Sequence, residues 1–236
     1  MRTPPPVPFP LLSRTRDLPT PGCPTTRSFG WRTFAGALIF SVASAVFAQV
    51  TGVVPEDKVW LLPPFCQDRL NYGERGEKVQ KWLDTLGEVA YTHIHHYCWA
   101  IYKINFQAAE RGISPGERGS ILNGGVGDIE YVLARTSPDF PLRYPMLVLQ
   151  AQALTGLKKP MQATKKLQEA IALRPSEEIA YFRLAQLQIS IGATAEARDT
   201  IRTGLQQKPD SPGLQRLSKS LPSKGGSADA SPKPKQ

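Results

Sequence analysis

Apolar side chains recur at intervals of three and four residues along most of the chain after residue 76, which is the period of an amphipathic α-helix. One helix is predicted over residues 76–86, where Val79, Trp82 and Leu83 would share a face. A longer helix is predicted from residue 89 to residue 109. Because no segment alternates apolar and polar residues as a half-buried strand does, the sequence predicts an all-α fold.

Several residues mark the expected helix ends. Ser114 and Glu117 have the spacing of a capping box, and Ser176 is a predicted N-cap. A final helix is expected to open at Asp210-Ser211-Pro212, since proline suits the first helical position. Glycine weakens helices, so we expect a break or kink in the helix after Ser114 at Gly124, Gly125 and Gly127.

The sequence between residues 144 and 211 overlays itself at a shift of 34 residues. The shift aligns Ala151 with Ala185 and Ala163 with Ala197, and small residues allow two helices to approach closely. It also aligns prolines that would end the second helix of each unit, Pro175 and Pro209. Such a period predicts helix pairs that stack one after another.

A repeat of this length, with small residues at fixed places and a closing proline, resembles the tetratricopeptide repeat family. The resemblance implies an antiparallel helix-pair solenoid, here with an irregular N-terminal segment before it. A degenerate copy of the pattern precedes the two repeats at Gly127, Tyr131 and Ala134. We divide the chain as follows. Residues 1–48 are assigned to a basic, Pro-rich leader with a signal peptide, 49–75 to the irregular segment, and 76–143 to a helical region with the degenerate copy. The repeats are assigned to 144–177 and 178–211, a capping helix to 212–221, and a disordered tail to 222–236.

In the tetratricopeptide repeat family, the first helix of each repeat lines a concave face that binds peptides. The resemblance places the following residues on that face: Val148, Gln152, Thr155, Ile179, Phe182, Gln186 and Ile189, together with Pro145. None of them is charged, so we expect a groove that binds an uncharged segment of a partner protein. In the alternative, Phe182 and Ile189 pack beneath neighbouring helices and no groove is open.

The beginning of the chain has the pattern of an export signal. Arg27 and Arg32 precede the uncharged, apolar run 33–48, which ends in small residues. Cleavage is expected after Ala48, with Ala45 as the alternative position. The expected location is therefore the periplasm or the exterior. The alternative is an inner-membrane anchor through residues 33–54, because the apolar run nearly reaches a spanning length.

Composition and charge narrow the possible partners. The chain has 236 residues, with 29 Lys and Arg against 20 Asp and Glu, a net charge of +9. Five of the basic residues and one acidic residue precede Gln49, so the remainder carries only +5. Because no basic stripe with interleaved aromatic residues is present, we expect no nucleic-acid partner. Membrane contact is expected only through an uncleaved signal segment.

All three histidines and one cysteine lie within six residues, at His93, His95, His96 and Cys98. On a helix, His93 shares a face with His96, and His95 shares a face with Cys98, so either pair could bind a soft metal such as copper or zinc. A closed site needs about four ligands, and the nearest carboxylates in sequence are distant. We therefore expect no metal, and imidazoles that pack between helices.

Cys66 and Cys98 are the two cysteines that follow the leader. In an oxidising compartment such an isolated pair is more often a disulfide than two free thiols, which remain the alternative. The segments Leu62-Pro63-Pro64-Phe65-Cys66 and His95-His96-Tyr97-Cys98-Trp99-Ala100 resemble those of exported tetratricopeptide proteins of Gram-negative bacteria.

Two hypotheses about function follow. The first is an exported scaffold that binds a protein or peptide in its concave face, with no cofactor and no catalytic residue. The second is a periplasmic metal-handling or redox protein that uses the segment with His93, His95, His96 and Cys98.

Overall fold

The computed structural model describes residues 54–71 and 77–221, and this part of the chain consists of helices and short connections without a strand. Two 3-10 helices belong to this part: Glu56–Leu61 precedes the first α-helix, and Gln107–Ala109 lies between the third and fourth α-helices. The α-helices of the same part are α1 Pro64–Leu70, α2 Glu77–Leu86, α3 Glu88–Asn105, α4 Pro115–Leu133, α5 Arg143–Gly156, α6 Pro160–Leu173, α7 Glu178–Ser190, α8 Thr194–Gln207 and α9 Pro212–Ser220.

From α3 onward, neighbouring helices pack in pairs: α3 with α4, α5 with α6, and α7 with α8. Each pair also contacts the next, because α4 packs on α5 and α6 packs on α7. Short turns join α5 to α6 and α7 to α8, and a longer connection with the 3-10 helix Gln107–Ala109 joins α3 to α4, so that the helices of each pair are antiparallel. The predicted all-α, helix-pair solenoid is confirmed.

Small residues bring the helices of each repeat together. Ala163 of α6 and Ala197 of α8 are fully buried, as the repeat pattern requires. At Gly204 of α8, a Cβ would lie 2.7 Å from Leu214 Cδ1 and 2.9 Å from Tyr181 Cβ. The second repeat and α9 therefore pack around a position that tolerates no side chain.

The N-terminal segment differs from the expectation of an irregular region. The described residues of 49–75 contain a 3-10 helix and α1, which begins with Pro64 at its first turn. Both pack against the core through Val59 and Cys66. Alternating prolines and apolar residues gave no helical period over so short an element, which is why the sequence pattern missed α1.

Of the two expected helix caps, one is confirmed and one is wrong, and the final helix begins at Pro212 as expected. Ser114 and Glu117 form the capping box, with Ser114 Oγ accepting from Glu117 N at 3.2 Å. Ser211 caps α9 by accepting from Leu214 N at 3.3 Å. Ser176 caps nothing: α7 begins at Glu178, and its N-cap is Glu177, without a side-chain hydrogen bond.

The expected break at Gly124, Gly125 and Gly127 is wrong, since α4 continues through all three. Gly125 is buried against Ile104 of α3, and Gly124 lies beside Lys103. The absence of side chains there lets α3 and α4 approach closely. Helix α3 itself ends at Asn105, four residues before the expected end, and a 3-10 turn follows.

Among the described residues, no helix combines the length and the apolar character that a membrane crossing requires. The expected signal peptide, its cleavage site and the C-terminal tail after residue 221 lie outside the described residues.

Candidate functional site

A cleft of about 270 Å³ opens between α5 and α7, the first helices of the two repeats. Its lining combines apolar residues at the base with polar side chains at the edge, namely Ala151, Gln152, Thr155, Leu167, Arg183, Gln186, Leu187 and Ser190. Leu167 of α6 is buried, with 1% of its surface exposed, and so belongs to the floor. Of the residues expected on the concave face, the cleft brings together Gln152, Thr155 and Gln186.

Helical spacing explains this lining. Gln152 and Thr155 lie three residues apart on α5, and Arg183 and Gln186 lie three residues apart on α7. Residues at this spacing project from the same side of a helix. Because the second helix of the first repeat returns the chain, α5 and α7 lie side by side and contact each other.

The two hydroxyl groups of the cleft can only accept hydrogen bonds from a ligand. Thr155 Oγ1 donates its proton to Ala151 O at 2.8 Å, and Ser190 Oγ donates to Leu187 O at 2.7 Å. A hydroxyl group has a single proton, so only the oxygen lone pairs remain free. These positions therefore suit N–H groups of a ligand.

The two amides of the cleft differ in their hydrogen bonds. Gln152 Nε2 donates to Asn105 Oδ1 at 3.0 Å, which ties the cleft to the last residue of α3. Gln186 is exposed and makes no side-chain hydrogen bond to the described part of the chain. Gln186 is consequently free to pair with a peptide group, whereas Gln152 is held in place.

Arg183 gives the cleft a positive charge that the sequence interpretation missed. Its side chain is exposed, lines the cleft and forms no ion pair within the described residues. No acidic residue lines the cleft. The expectation of a groove without charge is therefore wrong. The family pattern assigned Phe182 to the concave face and skipped the next residue, although the helix turns Arg183 towards α5.

The remaining expected residues do not line the cleft. Val148 is half-buried and packs on the core that α5, α6 and α7 share. Phe182 is half-buried beside Tyr181, Ala185 and Leu214, and contacts α9 rather than α5. Ile179 is 45% exposed, and Pro145 and Ile189 are half-buried.

The three histidines lie on one turn of α3, which we call the histidine turn (His93, His95 and His96). His96 Nδ1 donates to Asp128 Oδ1 of α4 at 2.9 Å, and Lys103 Nζ donates to Asp128 Oδ2 at 2.7 Å. The expectation that no carboxylate adjoins these histidines is therefore wrong. Asp128 is 32 residues from His96, so no local pattern could have revealed the contact.

The other two imidazoles have weaker partners. His93 Nδ1 lies 3.3 Å from Tyr131 Oη, and His95 Nδ1 donates to Thr92 O at 3.0 Å. Burial lowers the pKa of His95, and the positive charges of His96 and Arg69 lower it further. The described residues contain no group of three or more His, Cys, Asp or Glu side chains arranged to hold a metal ion.

Cys66 of α1 and Cys98 of α3 are paired, with 2.07 Å between their Sγ atoms and 5.5 Å between their Cα atoms. Both residues are fully buried. A sulfur in this pairing has no thiolate to offer a metal, so Cys98 is not a ligand in this state. Of the two pairs considered for a metal, the pair of His95 and Cys98 therefore loses its sulfur ligand, whereas His93 and His96 do not involve the cysteine.

Comparison with known proteins gives a family match for one part of the chain. Residues 154–221 match the family model described as Tetratricopeptide repeat. A search of curated protein sequences gave no match.

Three solved structures similar to this chain are TPR domains of RPAP3. The first TPR of Spaghetti (RPAP3) bound to HSP90 peptide SRMEEVD is 18% identical, covering 43% of this chain and 80% of that one, with a TM-score of 0.38. The second TPR domain of human RPAP3, in complex with HSP70 peptide SGPTIEEVD, is 19% identical over 50% of this chain and 97% of that one, with a TM-score of 0.37. The first TPR domain of human RPAP3 is 16% identical over 52% and 88%, with a TM-score of 0.39.

The match over residues 154–221 coincides with α6 to α9 and the end of α5. The buried alanines, the paired helices and the closing prolines of this region are those that the repeat pattern requires. Residues 154–221 thus match the tetratricopeptide repeat family both in sequence and in the arrangement of their helices.

Proposed function

We propose that the chain is a non-catalytic scaffold that binds a segment of a partner protein in the cleft between α5 and α7. Tetratricopeptide repeats are interaction modules, and residues 154–221 match that family. The observation that carries the proposal is Arg183, an exposed cation in a cleft whose lining contains no acid. A cation placed in this way favours a ligand that brings a negative group.

The chemistry of the cleft suits an extended peptide. Thr155 and Ser190 offer acceptors for backbone N–H groups. The amide of Gln186 can donate a hydrogen bond to a peptide carbonyl or accept one from a peptide N–H. Arg183 would pair with one carboxylate of the same segment. We therefore propose a ligand with one acidic group and at least two accessible backbone amides.

The expected affinity is low. Two repeats and a cleft of about 270 Å³ provide a small contact area, and weak or transient interfaces lie at the low end of buried area. Gln152 is held by Asn105 before binding, which limits the ordering cost to the side chains of Arg183 and Gln186.

The proposal of a non-catalytic role rests on the repeat family, and the cleft adds no catalytic group to it. The lining contains no histidine, carboxylate, lysine or cysteine that could serve as a general base or nucleophile. Both hydroxyl groups direct their protons to backbone carbonyls and have no base beside them.

We also propose that the protein is exported. The apolar run 33–48 behind Arg27 and Arg32 supports export, and so does the buried Cys66–Cys98 pair. N-terminal sequencing of the exported form should begin at Gln49. Recovery of intact protein from the membrane with Arg32 retained would favour the anchor instead.

The cleft is tested by site-specific cross-linking in the native host. A photoreactive amino acid at position 186 should form a defined adduct with a partner, whereas the same residue at Gln206, exposed on α8, should not. In the strain with the probe at 186, Arg183→Glu should abolish the adduct and the matched charge reversal Arg216→Glu on α9 should leave it intact. Equal adducts at 186 and 206, or no effect of Arg183→Glu, would contradict the proposed site.

A further inference from the structure

All three histidines of the chain belong to the histidine turn. Their rings are close together: the centroids of His95 and His96 are 4.6 Å apart, and each lies within 4.8 Å of the Trp99 ring. The His96 ring also lies over Tyr131 of α4, with 4.0 Å between centroids. The histidine turn therefore forms part of the contact between α3 and α4 near Tyr131.

Cations outnumber anions around the histidine turn. Arg69 of α1 lies near His95, where it donates to Tyr91 O and Thr92 O. Arg135 of α4 stacks on Tyr131, with 3.5 Å from its Cζ to the ring centroid. The one carboxylate that contacts the turn among the described residues is Asp128, and Lys103 already pairs with it.

We propose that the histidine turn is an acid-sensitive contact, which holds α3 to α1 and α4 near neutral pH and loosens when a second imidazole is protonated. One charged imidazole can be accommodated, because His96 already donates to Asp128. A second charge on His95 would face Arg69 and His96 with no carboxylate to balance it. The proposal does not depend on what the cleft binds.

The hydrogen bonds determine where the protons go. Thr92 O and Asp128 Oδ1 are acceptors, so Nδ1 of His95 and Nδ1 of His96 each carry a hydrogen at neutral pH. The incoming proton must bind Nε2 of either ring. Both positive charges would then lie within the same small cluster of rings, next to the half-buried Trp99.

The direction of the effect follows from linkage. Burial and the neighbouring cations lower the pKa of His95 in the folded protein below its ordinary value of 6.5. The unfolded chain therefore binds more protons than the folded chain between these two values. Stability is fully present above the ordinary value and is lost as the pH falls through it towards the lowered pKa.

The repeats provide an internal control, because α7 and α8 contain no histidine. Between about pH 7.5 and about pH 5.5, histidine is the side chain whose ordinary titration falls in the interval. A response to acid in this interval should consequently appear in α1, α3 and α4, and should be absent from α8.

Amide hydrogen exchange of the full chain, measured at about pH 7.5 and about pH 5.5 and corrected for the intrinsic rate, tests the proposal. We expect acid to raise exchange severalfold in peptides from α3 and α4, with no change in α8. A uniform change, or none in α3 and α4, would overturn the proposal.

Variants assign the effect to the imidazoles. His95→Gln, at a half-buried position, should lose most of the acid response while keeping the exchange rates at the higher pH. The triple variant His93→Gln, His95→Gln, His96→Gln should lose all of it. If the triple variant does not fold, His95→Gln decides the question. An acid response that persists in His95→Gln with its full size would contradict the proposal.

Discussion

Gly125 of α4 lies against Ile104 of α3 so closely that a Cβ at position 125 would be 2.7 Å from Ile104 Cγ1 and 2.9 Å from its Cδ1. Real Cβ atoms are not found at such distances, and Ile104 is itself buried, with 5% of its surface exposed. The glycine is therefore a packing requirement of the α3–α4 pair rather than a site of weakness in α4.

Gly125→Ala should destabilise the protein, because an added methyl group in a packed core forces the helices apart at a cost of about 1–3 kcal/mol. The free energy of unfolding in urea measures this loss. The higher helix propensity of alanine opposes it by about 0.5–1 kcal/mol, so the observed value is the difference between the two effects.

Gly127→Ala is the matched control, two residues further along the same helix. A Cβ at position 127 meets no atom within 4 Å, and the residue is exposed. Here alanine should stabilise the protein by about 0.5–1 kcal/mol through helix propensity alone. Equal effects of the two substitutions would mean that contact with Ile104 does not explain Gly125.

The fold could be predicted from the sequence where the pattern is repeated or local. The 34-residue overlay located the helix pairs because each small residue in the pattern marks a place where two helices pack closely, as at Ala163 and Ala197. The capping box at Ser114 is local in the same way. The glycines of α4 misled the prediction, because helix propensity describes only how glycine destabilises its own helix. The stabilisation at these positions comes from the close packing of α3 on α4.

The site was less predictable, because its decisive contacts join distant residues. Gln152 and Gln186 follow from the repeat, and both line the cleft. Arg183 does not occupy a position that the family pattern assigns to the concave face. Asp128 reaches His96 from another helix, across 32 residues, and only the packing of α3 on α4 makes them neighbours.

The Cys66–Cys98 pair should stabilise the protein by about 3–4 kcal/mol if it is a disulfide, because a loop of this length restricts the unfolded chain. Cys98→Ser should lower the free energy of unfolding by that amount, and a reductant should lower it similarly in the wild type. Non-reducing peptide mapping of the protein from its native host identifies the bond directly.

The double variant Cys66→Ser, Cys98→Ser distinguishes a bond from two buried thiols. Residues that share one bond are not additive, so the double variant should be no less stable than either single variant. Additive losses, together with quantitative thiol labelling of the unfolded wild type without reductant, would contradict the disulfide.

Ser211→Ala should cost about 1 kcal/mol, since Ser211 Oγ accepts from Leu214 N and caps α9. Ser211 is buried and Leu214 is fully buried, so fraying of α9 would expose the last core cluster. Ser176→Ala offers a control, because Ser176 precedes α7 without capping it and is exposed. Thermal unfolding should show a lower midpoint for Ser211→Ala alone.

Phe182 determines whether the expected concave face extends beyond the cleft. Its ring packs on α9, where a Cβ at Gly213 would be 3.1 Å from Phe182 Cδ2. The residue is half-buried against the cluster formed by Tyr181, Ala185 and Leu214. We therefore expect Phe182 to act in stability rather than in binding.

Phe182→Ala should lower the free energy of unfolding by about 2–3 kcal/mol, somewhat less than the loss for a fully buried phenylalanine. Ile179→Ala, at a residue that is 45% exposed on the same helix, should change it by no more than about 0.5 kcal/mol. Urea unfolding of both variants measures the difference.

Cross-linking from position 186 should then persist in the folded fraction of Phe182→Ala, because the ring contacts α9 and does not line the cleft. If Phe182→Ala instead keeps full stability and loses the adduct, the phenylalanine belongs to the binding surface and the cleft is wider than its present lining.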